Sequence, residues 1–283
     1  MDIIKVFVAC HKPGPVYQDN VYTPIHVGRE LSKYREEMSD MIGDDTGENI
    51  SRKNPYYSEL TAQYWAWKNV NDVKYIGFCH YRRFFNVNLS DGFVEAVFKH
   101  YDVVMTQAIL TKTVECDLTH YVTLEDISIF LMILKNKYPE YERTAIDYLW
   151  NNEIHQKNML ICRKELFDDY AEWIFGILEE CEKYIQISPY MRGKRVFGYL
   201  GEFFMPVFFL HNHCKIYNTQ YIEHPDRKLK LHVSNHIKSK LKKAYILLSR
   251  PLLNKPSCFE DYYVPEVVLS LNSDKINPNN TNY

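Results

Sequence analysis

The stretch Val73-Lys74-Tyr75-Ile76-Gly77-Phe78-Cys79-His80-Tyr81-Arg82-Arg83 decides how this chain folds. From Tyr75 to Cys79 it carries no charge, and it does not alternate between apolar and polar residues. Such a run is a strand buried on both faces, as in a parallel sheet. It ends by delivering a histidine and two arginines to the sheet edge.

Working outward, Ile3-Ile4-Lys5-Val6-Phe7-Val8-Ala9-Cys10 has the same character and is stopped by His11-Lys12-Pro13-Gly14-Pro15. Residues 102–105 and 158–162 are shorter strand-like runs. A helix is expected from Ser58 as N-cap, with Glu59 in its first turn and Leu60, Tyr64, Trp67 and Lys68 on adjacent turns. Further helices are expected over 124–138, 139–152 and 164–184, the last with Leu166, Tyr170, Trp173, Ile177 and Cys181 at helical spacing. Residues 16–55 read as loop-rich, and 199–210 as an apolar run interrupted by Pro206. Strands alternating with helices, without internal repeats, predict an α/β domain with a mostly parallel central sheet. Ligands in such sheets bind beyond the carboxyl ends of the strands. The segments after residues 10, 79 and 162 are therefore the expected site.

With 283 residues, 46% hydrophobic and 25% charged, the chain is neither disordered, fibrous nor a disulfide mini-scaffold. A net charge of −2 gives no global basic field for nucleic acid. The 23 tyrosines suit a sugar-binding groove or a tyrosine-rich core. Seven cysteines without CxxC spacing predict free thiols in a reducing compartment. The start of the chain lacks the pattern of a leader peptide, and no run of about 18 apolar residues occurs, so a cytoplasmic protein is expected. Past residue 225 the character changes. Arg227 to Arg250 holds eight basic residues and no acidic one, interleaved with Leu231, Ile237, Leu241, Tyr245 and Leu248. This sequence divides into a domain over 1–225 and a basic amphipathic segment with a polar tail over 226–283. That segment fits an anionic membrane surface, or a helix packed on the domain with solvated lysines.

Three groups of residues could carry chemistry. Arg82 and Arg83, with His80 beside them, could hold a diphosphate through planar, permanently charged forks; surface ion pairs are the plain alternative. Asp44 and Asp45, between Gly43 and Gly47 and followed by Asn49, could bind Mg²⁺ or Mn²⁺ or ribose hydroxyls, or form a hydrophilic turn. Glu202 sits in an apolar, aromatic run where burial would raise its pKa and suit it to general-base work. An ion pair with Arg192 or Arg195 is its structural alternative. His211-Asn212-His213-Cys214 is too compact to make a zinc site alone. No GxSxG, P-loop or GxGxxG motif occurs, which leaves hydrolase, kinase and dinucleotide readings unsupported.

Three blocks in order, Gly43-Asp44-Asp45-Thr46-Gly47-Glu48-Asn49-Ile50-Ser51, Glu59-Leu60-Thr61-Ala62 with Tyr64-Trp65-Ala66-Trp67-Lys68-Asn69, and Gly77-Phe78-Cys79-His80-Tyr81-Arg82-Arg83-Phe84-Phe85, resemble one bacterial family. That family was long known only as a domain of unknown function in capsular and exopolysaccharide gene clusters, and its members are linked to galactofuranosyl transfer. The resemblance extends through Asn158-Met159 and Gly201-Glu202, over roughly residues 3–222. Where the family pattern continues after Glu202 with Arg-Leu, this chain has Phe203-Phe204.

The resemblance implies a fold similar to GT-A glycosyltransferases. It implies an inverting enzyme moving galactofuranose from UDP-galactofuranose to a lipid-linked polysaccharide acceptor at the inner face of the plasma membrane. In that picture Glu202 is the base, and Arg82, Arg83 and His80 stand where related enzymes place a metal-binding Asp-x-Asp. No metal is then required. Asp44, Asp45, Asn49, Glu59 and Thr61 would line the donor pocket. A nucleotide-pyranose donor, or a non-catalytic glycan- or nucleotide-binding module, are the alternatives.

Overall fold

The computed structural model describes residues 2–190, 193–223, 244, 248 and 255–259. Seven strands form the central sheet: β1 (Asp2–Cys10), β2 (Tyr22–His26), β3 (Ile42–Gly43), β4 (Val73–His80), β5 (Val103–Thr106), β6 (Leu160–Arg163) and β7 (Ile216–Thr219). Their order is β7-β5-β6-β4-β1-β2-β3. Every neighbouring pair is parallel except those made by β6, which runs antiparallel to both β4 and β5. The mostly parallel α/β sheet expected from the sequence is present.

Both faces of the sheet are covered, which is why β1 and β4 read as continuous apolar runs. Phe7, Ala9, Ile76, Phe78, Val103 and Leu160 face one core; Val6, Val8, Tyr75, Cys79, Val104 and Ile161 face the other. The first core is the larger. It is closed by α2 (Leu60–Asn69), α4 (Leu124–Lys137), α5 (Glu142–Leu149), α6 (Lys164–Cys181) and α7 (Val196–His211), with α1 (Asn54–Tyr57) before α2 and α3 (Asp91–Val97) serving the second core. Phe78 sits between Phe7 and Phe167 at ring-centroid distances of 5.9 and 4.9 Å. Burial of one such phenyl group contributes about 1.5–3 kcal/mol.

Several local expectations change. Ser58 does not cap α2 through its side chain. It takes a φ of 52° between α1 and α2, and its carbonyl accepts from Asn54 Nδ2 and Thr61 Oγ1. Glu59 precedes α2 as its N-cap. The loop-rich region contains β2 and β3, and the apolar run around Pro206 is one helix extending from Val196 to His211. All seven cysteines are free thiols, with Cys10, Cys79, Cys162 and Cys181 buried. Among the described residues no helix is long and apolar enough to cross a membrane. The basic stretch 227–250 lies outside the described residues, apart from Ala244 and Leu248, which are helical and exposed.

Candidate active site

A cavity of about 300 Å³ opens at the carboxyl edge of the parallel strands. Ala9 and His11 reach it from the end of β1, and His80, Arg82 and Arg83 from the end of β4. The antiparallel direction of β6 corrects one expectation. The segment after residue 162 lies at the opposite sheet edge, and the segment before β6, with Gln156 and Lys157, reaches the cavity. Asn54, Ser58 and Glu59 line a second wall, and Arg195, just before α7, lines a third with Tyr199 and Glu202 of α7.

The end of β4 folds back at once. Arg83 N–H donates to the His80 carbonyl at 2.7 Å, and Arg82 N–H donates to His80 Nδ1 at 3.2 Å. Accepting at Nδ1 places the imidazole proton on Nε2, which faces Glu59 Oε1 at 3.8 Å. Burial, reinforced by Arg82, Arg83, His11 and Arg195, lowers the His80 pKa to about 3, so the ring is neutral. His11 is shifted in the same direction, by burial first and then by Arg195.

Glu202 comes from α7, four residues before Pro206, which lacks the N–H that would bond the Glu202 carbonyl. Its carboxylate accepts a 2.7 Å hydrogen bond at Oε1 from Lys157 N–H. Burial raises its pKa, and the nearby Glu59 adds to the shift. The Lys157 N–H, the Lys157 ammonium and Arg83 oppose it. Arg195 makes no ion pair with Glu202 among the described contacts, and Arg192 lies outside the described residues.

Not every sequence-derived candidate arrives. His80, Arg82, Arg83, Glu59 and Glu202 meet at the cavity; Asp44, Asp45, Asn49 and Thr61 are not on its wall. Asp44 is fully buried, accepting at Oδ2 from Gly28 N–H (2.8 Å) and at Oδ1 from Arg29 N–H (3.1 Å) and the Ser51 hydroxyl. Asp45 pairs with Arg35 at 2.7 Å. Asn49 closes a local turn onto Gly47 and Ser51, and Thr61 bonds Ser58 and Asn54. With both carboxylates engaged by protein donors, Asp44 and Asp45 do not form an open oxygen cage for Mg²⁺ or Mn²⁺. Among the described residues no cluster of three or more His, Cys, Asp or Glu is placed to hold a metal ion. His211 stacks on Tyr141 at 3.8 Å instead.

The sequence reading pointed to the segment after residue 10 without naming His11, missed Gln156, Lys157, Tyr121 and Tyr199 as cavity residues, and treated Arg195 only as an ion-pair partner. His11 alone had a readable signal, since it directly follows a buried strand. Lys157 and the tyrosines carry no local pattern that marks them.

The cavity therefore combines four cationic side chains, Arg82, Arg83, Lys157 and Arg195, with two carboxylates, Glu59 and Glu202. It has a formal excess of two positive charges when both histidines are neutral. Such a surface can accept a doubly charged anion and hold one carboxylate with raised basicity beside it.

The chain is similar to the solved apo structure of WbbM, a bifunctional glycosyltransferase. The TM-score is 0.68 at 26% identity, over 80% of this chain and 46% of that one. It thus spans about half the length of that protein. No curated protein matches it. Residues 5–213 match the family described as Domain of unknown function (DUF4422), and the chain belongs to that family.

Proposed function

We propose that this chain is a glycosyltransferase whose donor is a nucleoside diphosphate sugar and whose acceptor is a glycan hydroxyl. One observation carries the reading: the cavity's excess of two positive charges equals the charge of a sugar-linked diphosphate, with Glu202 across the same cavity. The structural likeness to a glycosyltransferase supports it.

In this mechanism Arg82 and Arg83, aided by Arg195 and Lys157, neutralise the diphosphate through charge-assisted hydrogen bonds. Glu202 takes the proton of the acceptor hydroxyl. The freed oxygen attacks the anomeric carbon from the face opposite the leaving group, so the new glycosidic bond forms as the carbon–phosphate-oxygen bond breaks. Configuration is inverted. The electron pair leaves with the nucleoside diphosphate, where the fixed cations stabilise it without reorganisation. No metal is needed for that step. Glu59, facing the neutral His80, is placed to accept from sugar hydroxyls.

The sequence resemblance supports UDP-galactofuranose as donor and a lipid-linked polysaccharide as acceptor. We assign the basic segment 227–250 to contact with an anionic leaflet. Each lysine or arginine there adds about 1 kcal/mol of attraction, weakened by salt. The test is UDP release from a panel of nucleotide sugars with a lipid-linked glycan acceptor. UDP-galactofuranose is expected to give the highest acceptor-dependent turnover. A preferred pyranose donor overturns the donor assignment, and binding without turnover for every donor overturns the enzyme.

A further inference from the structure

Four non-glycine residues among those described have positive φ, and three of them, Ser58 (52°), Lys157 (89°) and Asn158 (50°), are at or beside the cavity. Side-chain-bearing residues rarely adopt this region, and two in succession persist only where surrounding structure imposes them. At Lys157 the imposing contacts are visible. His155 Nδ1 lies 2.7 Å from the Thr106 carbonyl, and the Thr106 hydroxyl donates to the Gln156 carbonyl at 2.9 Å. Gln156 Nε2 donates to Asp117 Oδ2 at 2.9 Å, and Asn158 is buried. Clamped on both sides, the turn points Lys157 N–H at Glu202 Oε1, 2.7 Å away.

We propose that the left-handed turn Lys157–Asn158 is a positioning element: its backbone N–H anchors Oε1 of Glu202 and leaves Oε2 to face the reacting group. Lys157 acts here through its main chain. Its ammonium is engaged separately, donating to Gln156 Oε1 at 3.0 Å. A backbone donor fixes the carboxylate more rigidly than a long side chain can, because it has no rotamers to lose. The inference rests on the proposed role of Glu202, but the anchoring itself can be measured without turnover.

The charged and titratable groups acting on Glu202 are Glu59 before α2, Arg83 beyond β4, the Lys157 ammonium, and the Tyr148 hydroxyl of α5. Losing the N–H bond while these groups are the same in the two proteins compared removes stabilisation of the ionised carboxylate and raises its pKa. Lys157→Gly and Lys157→Val make the needed comparison. Both lack the ammonium, but glycine accepts a φ of 89° and valine resists it.

The experiment is a carbon-13 NMR titration of the full chain labelled at glutamate carboxyls, with the Glu202 signal identified by its loss in Glu202→Gln. Lys157→Val is expected to titrate about one to two units above Lys157→Gly. Equal values in two folded variants overturn the proposal. If Lys157→Val does not fold, Lys157→Ala replaces it, with a smaller rise expected and the same equality overturning the idea. Where Glu202→Gln retains normal turnover, the base role falls while the titration still decides whether the turn anchors the carboxylate.

Discussion

The backbone of Gly198 runs so close to Tyr57 that a Cβ at Gly198 would stand 3.1 Å from the Tyr57 carbonyl oxygen and 3.2 Å from Ser58 Cβ. One helical turn on, a Cβ at Gly201 would meet Leu60 Cδ1 at 2.5 Å. These two glycines let α7 lie directly against α1 and the start of α2. That closeness sets the width of the cavity between Glu59 and Glu202.

Gly198→Val should therefore push α7 outward against an unyielding carbonyl. Overpacking of this kind costs about 1–3 kcal/mol. Urea denaturation is expected to show that loss, with UDP affinity falling as the walls separate. Unchanged stability would mean that the helix moves freely, and the account of cavity width would be wrong.

Asp44 is predicted to matter for folding and not for donor affinity. Asp44→Ala strands the buried Gly28 N–H, the partly buried Arg29 N–H and the Ser51 hydroxyl, a loss of about 2–4 kcal/mol. Calorimetry on the folded protein should find UDP affinity within about twofold of wild type, a difference of about 0.4 kcal/mol. A large loss of affinity with intact stability would restore Asp44 to the donor site.

His80 gives a pH signature. The folded chain holds it neutral with a pKa of about 3, against the ordinary 6.5. Between those values the unfolded chain binds the extra proton, so its contribution is complete above pH 6.5 and is lost as pH falls towards 3. The slope is on the order of 1 kcal/mol per pH unit. His80→Asn removes the titrating group, and the acid-side loss of stability should become shallower by that amount. Parallel stability curves for the two proteins would contradict the buried neutral ring.

The strand-end arginines should make catalysis independent of divalent ions. Activity is expected to survive EDTA, while Arg83→Ala weakens UDP binding by about tenfold or more. Abolition by EDTA, reversed by Mn²⁺ or Mg²⁺, would transfer the neutralising role to a metal.

What the sequence made legible follows from which interactions are local. β1 and β4 stood out because burial on both faces forbids alternation, and the strand end at His80 pointed to the site. β2 was hidden by Pro24, which breaks strand propensity yet is tolerated beside Val8 in the structure. The direction of β6 has no local signature, since a strand of four residues reads alike both ways; the sequence therefore points to the segment after residue 162, whereas the segment before residue 160 reaches the cavity. Asp44 and Asp45 resembled ligand carboxylates because their partners, Gly28, Arg29 and Arg35, are distant in sequence. The helix through Pro206 was obscured for another reason: buried nearly all round, it shows no amphipathic period.

The most direct measurement compares wild type with Glu202→Gln for acceptor-dependent UDP release, alongside UDP binding to each. Glutamine keeps the shape and removes the base. The account predicts near-equal UDP affinity and turnover lowered by roughly 10²–10⁴-fold. Turnover close to wild type in Glu202→Gln would contradict it.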